Sequence, residues 1–242
     1  MSQNPSNTEP IDSFRSLMVN MRILAFADFH GQPDAVESAR RLIAAEQTSF
    51  VIVAGDVVNY DADLAKQLLL QLGRGGRPVY FVPGNMDNPA LSEWSGEDQV
   101  HPIHGRCEFV DEVGLIGLGG SPRGSVKTPF QFSEEEAGQT LERLLKVCKS
   151  RERILVCHCP PVGTKVDQVS EGEHAGSLSI RKFVEAAHPI LVVSGHVHEA
   201  QGVDKIGLTT TVNTGPAKNG CFARIDLTDK VTVAFDDLHR VS

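Results

Sequence analysis

The chain has 242 residues, of which 40% are hydrophobic and 22% charged, an ordinary globular balance that excludes wholesale disorder. No run approaches the roughly 20 apolar residues of a bilayer-crossing helix, so no membrane partner is expected. Lys and Arg total 23 against 31 Asp and Glu, a net charge of −8, which disfavours non-specific nucleic-acid binding but not small anions held by cations in a cleft.

Residues 1–20, rich in Ser, Asn, Pro and Glu, read as a disordered lead-in, and residues 21–242 as one domain. Ile23 to Ala27 is a short apolar run expected as a buried strand. Pro33 opens a helix with Val36, Ala39 and Ile43 on one face. Phe50 to Ala54 is a second strand, and Ala65, Leu68, Leu69 and Leu72 give a second helix its apolar stripe. Val79 to Val82 is a third strand. Strands alternating with amphipathic helices predict βαβ units and a largely parallel sheet.

From Val100 to Leu118 the apolar pieces are broken by Gly105, Gly114 and Gly117, a pattern closer to β-hairpins. Ser133 with Glu136 forms a capping box for a helix buried through Ala137, Leu141, Leu144, Leu145 and Cys148. Ile154 to Cys157 is a strand, Ile180, Phe183, Val184 and Ala187 mark a helix, and Ile190 to Val193 another strand. The tail from Val203 to Phe235 reads as short strands, with Asn219-Gly220 as a hairpin turn. Five cysteines, an odd number spread through the chain, are expected to be reduced thiols of a cytoplasmic protein.

Loops that leave the carboxyl ends of parallel strands gather on one side of a sheet, where ligands bind. Here those loops hold Asp28-Phe29-His30, Gly55-Asp56, Gly84-Asn85-Met86-Asp87, His158 and Gly195-His196-Val197-His198. Asp56 follows Asp28 by 28 positions and Asn85 follows Asp56 by 29, each about one βα unit, so the loops should return to the same edge. Asp28, His30, Asp56, Asn85, His158, His196 and His198 offer two carboxylates, one amide oxygen and four imidazoles. Nitrogen and oxygen donors without thiolate suit manganese, iron or zinc. Seven donors exceed the needs of one ion; with one bridging carboxylate they divide between two, an arrangement that can grip a phosphoryl group and generate hydroxide.

These five blocks resemble those of the calcineurin-like metallophosphoesterases. Gly119-Gly120-Ser121-Pro122, His158-Cys159-Pro160-Pro161, His174-Ala175-Gly176-Ser177 and Val212-Asn213-Thr214-Gly215-Pro216 are similar to a branch of predicted phosphoesterases related to cyclic-AMP phosphodiesterase. The resemblance implies an α/β fold, a four-layer α/β/β/α sandwich. It implies that Asp28, His30 and His198 hold one metal ion, that Asn85, His158 and His196 hold the other, and that Asp56 bridges them. A bridging hydroxide would then attack the phosphorus of a small phosphoester substrate.

Many family members carry Gly-Asn-His-Asp, whose histidine is thought to protonate the leaving group. Met86 stands there instead, and a thioether has no proton to give. The expected consequence is a preference for phosphodiesters or activated esters. His174 is a candidate substitute acid. Asn59, Asp87 and Glu199 are candidate supports for the ligands, Asn213 and Gly215 shape a nearby loop, and Cys157 and Cys159 should point away from His158 into the core. His104 shows no obvious partner. Two other functions fit the same residues: a phosphomonoesterase or protein phosphatase with another proton donor, and a non-catalytic binding module on this fold.

Overall fold

Apolar strands whose side chains alternate between two faces need cover on both, and this requirement sets the layers. In a computed structural model, which describes residues 20–124 and 126–240, Ile23, Ala25, Phe50 and Ile52 point between two sheets, while Leu24, Phe26, Val51 and Val53 meet helices. Ile154, Val156, Leu191 and Val193 enter the inter-sheet core from the other side; Leu155, Cys157 and Val192 face a second pair of helices. The result is the α/β/β/α order. The lead-in expected at residues 1–20 lies, apart from Asn20, outside the described residues.

The strands of the two sheets, numbered in chain order, are β1 (Met21–Phe26), β2 (Phe50–Val53), β3 (Val79–Phe81), β4 (Val100–Pro102), β5 (Cys107–Val110), β6 (Val113–Leu118), β7 (Glu152–Cys157), β8 (Leu191–Ser194), β9 (Gly202–Ile206), β10 (Thr209–Asn213), β11 (Cys221–Leu227) and β12 (Val231–Asp237). The first sheet has the order β12-β11-β1-β2-β3-β4 and the second β9-β10-β8-β7-β6-β5. Each has a parallel centre, β1 to β4 in the first and β6, β7, β8 and β10 in the second, with antiparallel strands completing it.

Helices α1 (Pro33–Ala45) and α2 (Ala62–Gly73) cover the first sheet, and α3 (Glu134–Val147) and α4 (Leu178–Ala187) the second. Asp61 caps α2 by accepting from the amides of Asp63 and Leu64. The Ser133–Glu136 capping box forms as expected. Glu134, at the start of α3, also caps α4: its carboxylate accepts from the Leu178 and Ser179 amides and the Ser177 hydroxyl.

Three expectations need correction. Only β5 and β6 form a hairpin in the middle segment; β4 instead extends the parallel sheet beside β3. Asn219-Gly220 is not a hairpin turn. It ends a 3₁₀ turn (Ala217–Asn219) that carries the chain from β10 in one sheet to β11 in the other, with Gly220 at φ 90°. Finally, Cys107 and Cys148 form a disulfide, with their Cα atoms 5.7 Å apart, so the five cysteines are not all free. Chain spacing could not reveal this pairing. The β5–β6 hairpin turns Cys107 back beside Gly114, whose missing side chain leaves room for both sulfurs under the C-cap of α3. No described helix is long and apolar enough to cross a membrane.

Candidate metal centre

The parallel pairing of β1, β2 and β3 aligns Phe26 with Val53 and Val53 with Phe81, so their following loops leave from one edge. Two loops are then zipped by their backbones. The amides of Asp28, His30 and Gly31 donate to the carbonyls of Gly55, Asp56 and Val57 at 2.9, 2.9 and 2.7 Å. From the second sheet, β7 leads into His158 and β8 leads to His196 and His198.

All seven expected ligand residues meet at this seam. His198 Nε2 and His30 Nε2 lie 3.5 and 3.9 Å from Asp28 Oδ1, and 3.3 Å from each other. Asp56 Oδ2 is 3.8 Å from His30 Nε2 and 3.5 Å from His158 Nε2. Asn85 Oδ1 is 2.9 Å from His158 Nε2. Two sets of donor atoms fall within 4.8 Å of one another: Asp28, His30 and His198, and Asp28, Asp56 and His158. His196 enters neither set. Its ring stands edge-on to His158 with centroids 5.0 Å apart, and its backbone amide donates to Asp28 Oδ2.

The local backbone is unusual in the same place. Asp28, His30, Asp56 and His196 have φ values of 58°, 47°, 51° and 72°, a region L-residues rarely occupy and one that recurs at functional sites. The glycines beside them are required by close approach. A Cβ on Gly84 would overlap Asp56, and one on Gly55 would lie 2.6 Å from both Gly84 Cα and His158 Nδ1.

The donor chemistry fits cations. Asp28 is fully buried, yet its Oδ1 has no hydrogen-bond partner among the described residues, a costly state for a carboxylate oxygen. His158 Nδ1 lies 2.7 Å from the Ala54 carbonyl and must donate to it, which leaves Nε2 as a bare lone pair facing two oxygens. His30 Nδ1 likewise donates to Asn59 Oδ1 at 2.9 Å, so its Nε2 is also bare. Fixing one ring nitrogen through an outer hydrogen bond is how metal-bound imidazoles are oriented.

Without a cation the carboxylates recruit protons. Burial opposes charge on His158, but Asp56 and Asp28 outweigh it and raise its pKa. Burial raises Asp56, with the Asp28 charge adding to it against His158. For Asp28 burial is overcome by His198, His158 and His30, which hold it below the usual range. Burial beside His158 pushes His196 down to about 3, leaving its ring neutral at pH 7.

The supporting residues divide. Asn59, read from the sequence as a support for the shared carboxylate Asp56, lies instead against His30, accepting from its Nδ1. Asp87, deprived of a histidine neighbour by Met86, is fully buried and accepts from the amides of Gly84, Val58 and Val57 at 2.7, 3.0 and 3.2 Å, clipping the β3 loop to the β2 loop. Burial and the Asp56 charge push its carboxyl up to about 7. Glu199 is exposed, and no hydrogen bond joins it to an imidazole among the described residues. Asn213 Nδ2 ties the carbonyls of Val166 and Val197 together, and its Oδ1 accepts from Gly215.

His174 is brought to no candidate ligand; its Nδ1 lies 2.9 Å from Asp167 Oδ1. Asp167 is fully buried and also accepts from the amides of Gly163, Thr164 and Gly176. This carboxylate was missed in the sequence, although Thr164 three residues before it is a capping-box signal. His104 does have a partner: its Nδ1 accepts from the Gly119 amide at 2.8 Å, and its ring packs against Phe130. Cys157 and Cys159 are buried in the core between the second sheet and its helices, as expected.

A sequence model described as calcineurin-like phosphoesterase matches residues 21–200. An uncharacterized protein of Methanocaldococcus jannaschii is 30% identical over 202 residues, which cover 81% of this chain and 88% of the relative. Among solved structures, TT1561 of Thermus thermophilus aligns with a TM-score of 0.71 at 18% identity, over 91% of this chain and 100% of the other. GAP50, the anchor in the inner membrane complex of Plasmodium, aligns with a TM-score of 0.62 at 14% identity, over 92% and 86%. At these identities the two structures share the fold.

Proposed function

We propose that this chain, which belongs to the calcineurin-like phosphoesterase family, hydrolyses small phosphoric esters with two divalent transition-metal ions, manganese, iron or zinc. The observation that carries this reading is the unpartnered, buried Oδ1 of Asp28 facing two imidazole nitrogens. Asp28, His30 and His198 would hold one ion, and Asn85, His158 and His196 the other, with Asp56 shared. When bound, the ions supply positive charge for the phosphoryl oxygens and lower the pKa of water. The chain's own residues do the rest. Asn59 and the Ala54 carbonyl hold the imidazole tautomers. Met86 donates its amide to Asp56 Oδ1 at 2.8 Å, which leaves Oδ2 for the imidazole side.

Met86 supplies no proton, so leaving groups that depart unaided are favoured: diesters and aryl esters over alkyl monoesters. His174, its ring fixed by Asp167, is the proton donor we assign for poorer leaving groups. Its segment is tied to the His198 loop through Asn213. The test is elemental analysis plus turnover of bis-p-nitrophenyl phosphate, with and without Asp56→Asn. Faster cleavage of serine or sugar phosphates would refute the diester preference. Bound metal without turnover of any ester would favour a non-catalytic binding module. An unchanged kcat across pH in His174→Ala would remove that residue from the mechanism.

A further inference from the structure

We propose that Tyr60 is a specificity-determining residue, its ring a stacking face for a planar aromatic group on the phosphoric ester. The inference rests on the phosphoesterase reading and narrows its substrate class.

Tyr60 is held at the edge of the metal centre by its backbone. Its amide donates to the Met86 carbonyl at 2.9 Å, and the Met86 amide in turn donates to Asp56 Oδ1. Its own carbonyl accepts from Asn88 Nδ2 at 3.0 Å, and the preceding Asn59 accepts from His30. One residue, Met86, therefore links Tyr60 to the carboxylate assigned to both ions, through its carbonyl on one side and its amide on the other.

The residue type does not follow from this backbone. At φ 69° the position suits Gly or Asn, and a bulky aromatic there is an outlier of the kind that clusters at ligand clamps. Nor does the ring enter the core. It is 57% exposed, and among the described residues no other ring packs on it, whereas the chain's second tyrosine, Tyr80, is buried and stacked on His101. A single exposed aromatic is unremarkable on a surface at large. Here it is pinned, conformationally strained and next to the candidate chemistry.

An independent feature selects the same ligand. With Met86 in the proton donor's place and His174 serving only poorer leaving groups, the leaving oxygen of a favoured substrate carries its own charge. Oxyanions that do so are delocalised into flat rings, as in aryl esters. A flat ring is what an exposed tyrosine binds by offset stacking. Loss of the acid and gain of the platform, at residues joined by a hydrogen bond, both favour an aromatic ester.

The experiment is calorimetric titration of manganese-loaded protein with phenylphosphonate and methylphosphonate, which share a phosphoryl head and differ in the ring. Wild type should bind phenylphosphonate about tenfold more tightly. Tyr60→Asn removes the ring while keeping a residue that tolerates this φ, and should bring the two affinities within about twofold. Tyr60→Trp should retain the preference. Equal binding of the two probes by wild type, or a preference that survives in Tyr60→Asn, overturns the proposal and leaves the phosphoesterase reading standing. If neither phosphonate binds wild type, that reading falls and the role of Tyr60 falls with it.

Discussion

Replacing Asp28 with asparagine should separate the cost of the metal centre from its purpose. Asp28 Oδ2 accepts from the His196 amide at 3.1 Å, while Oδ1 has no partner. In Asp28→Asn the amide oxygen must take the Oδ2 place, because the His196 N–H needs an acceptor. The NH₂ group then occupies the Oδ1 place, 3.5 Å from His198 Nε2 and 3.9 Å from His30 Nε2. It has no lone pair for a cation, but it can donate to an imidazole nitrogen.

Without metal the variant forfeits the attraction between Asp28 and its imidazoles, but it also removes a buried oxygen without a hydrogen bond and gives an imidazole nitrogen a donor, an offsetting relief on the order of 1–3 kcal/mol. With metal the wild type gains about 2.7 kcal/mol at a ligand concentration of a hundred times Kd. At roughly 2–4 °C per kcal/mol for a chain of this size, that is a rise of about 5–11 °C. Melting at pH 8 in EDTA and in manganese measures both. The variant should melt no lower than wild type in EDTA and show less than about a third of its rise in manganese. A full rise in the variant, or a drop of several degrees in EDTA, would refute the reasoning.

Other perturbations reach the frame. Gly84→Ala should push Asp56 out of place, abolish the manganese-dependent melting shift and destabilise the fold by about 2 kcal/mol or more, read by urea unfolding. Glu134→Gln leaves one acceptor oxygen for the start of α4 and should cost about 2 kcal/mol without changing metal uptake. Hydrogen bonds from Ser179, Ser177 and Leu178 overcome burial and hold the Glu134 carboxyl low, so its contribution is present above the ordinary Glu pKa and fades as pH falls through the lowered value. Burial, with Arg106 and Arg143, pushes His104 down to about 4. Its stabilisation is complete above about pH 6.5 and is lost as pH falls toward 4, in all on the order of 3 kcal/mol. His104→Asn keeps an acceptor for the Gly119 amide and should flatten that slope in urea titrations run at several pH values.

What was legible in the sequence is what periodicity and strand ends encode. The stripes of α1 to α4 are buried as read, save Leu145, which is only partly buried, and the ligand-bearing loops converge because β1, β2 and β3 are parallel and in register. What was not legible depends on tertiary partners. Asn219-Gly220 has the composition of a hairpin turn, but β10 and β11 belong to different sheets, and no local signal reports that. The Cys107–Cys148 bond, the Gly119 amide on His104 and the Val57 and Val58 amides on Asp87 each join segments distant in the chain. Glu199 failed as a support because a residue beside a ligand in sequence need not face it.

The candidate donors come from both sheets, Asp28, His30, Asp56 and Asn85 from one and His158, His196 and His198 from the other, and all lie beyond the strand ends, outside the apolar layer that joins the sheets. Hydrolytic capacity and architectural integrity are therefore drafted on different residues. A lineage that let its donors drift would shed an electrostatic burden while keeping its framework, so descendants could survive as inert platforms. GAP50, the anchor in the inner membrane complex of Plasmodium, shares this fold at 14% identity.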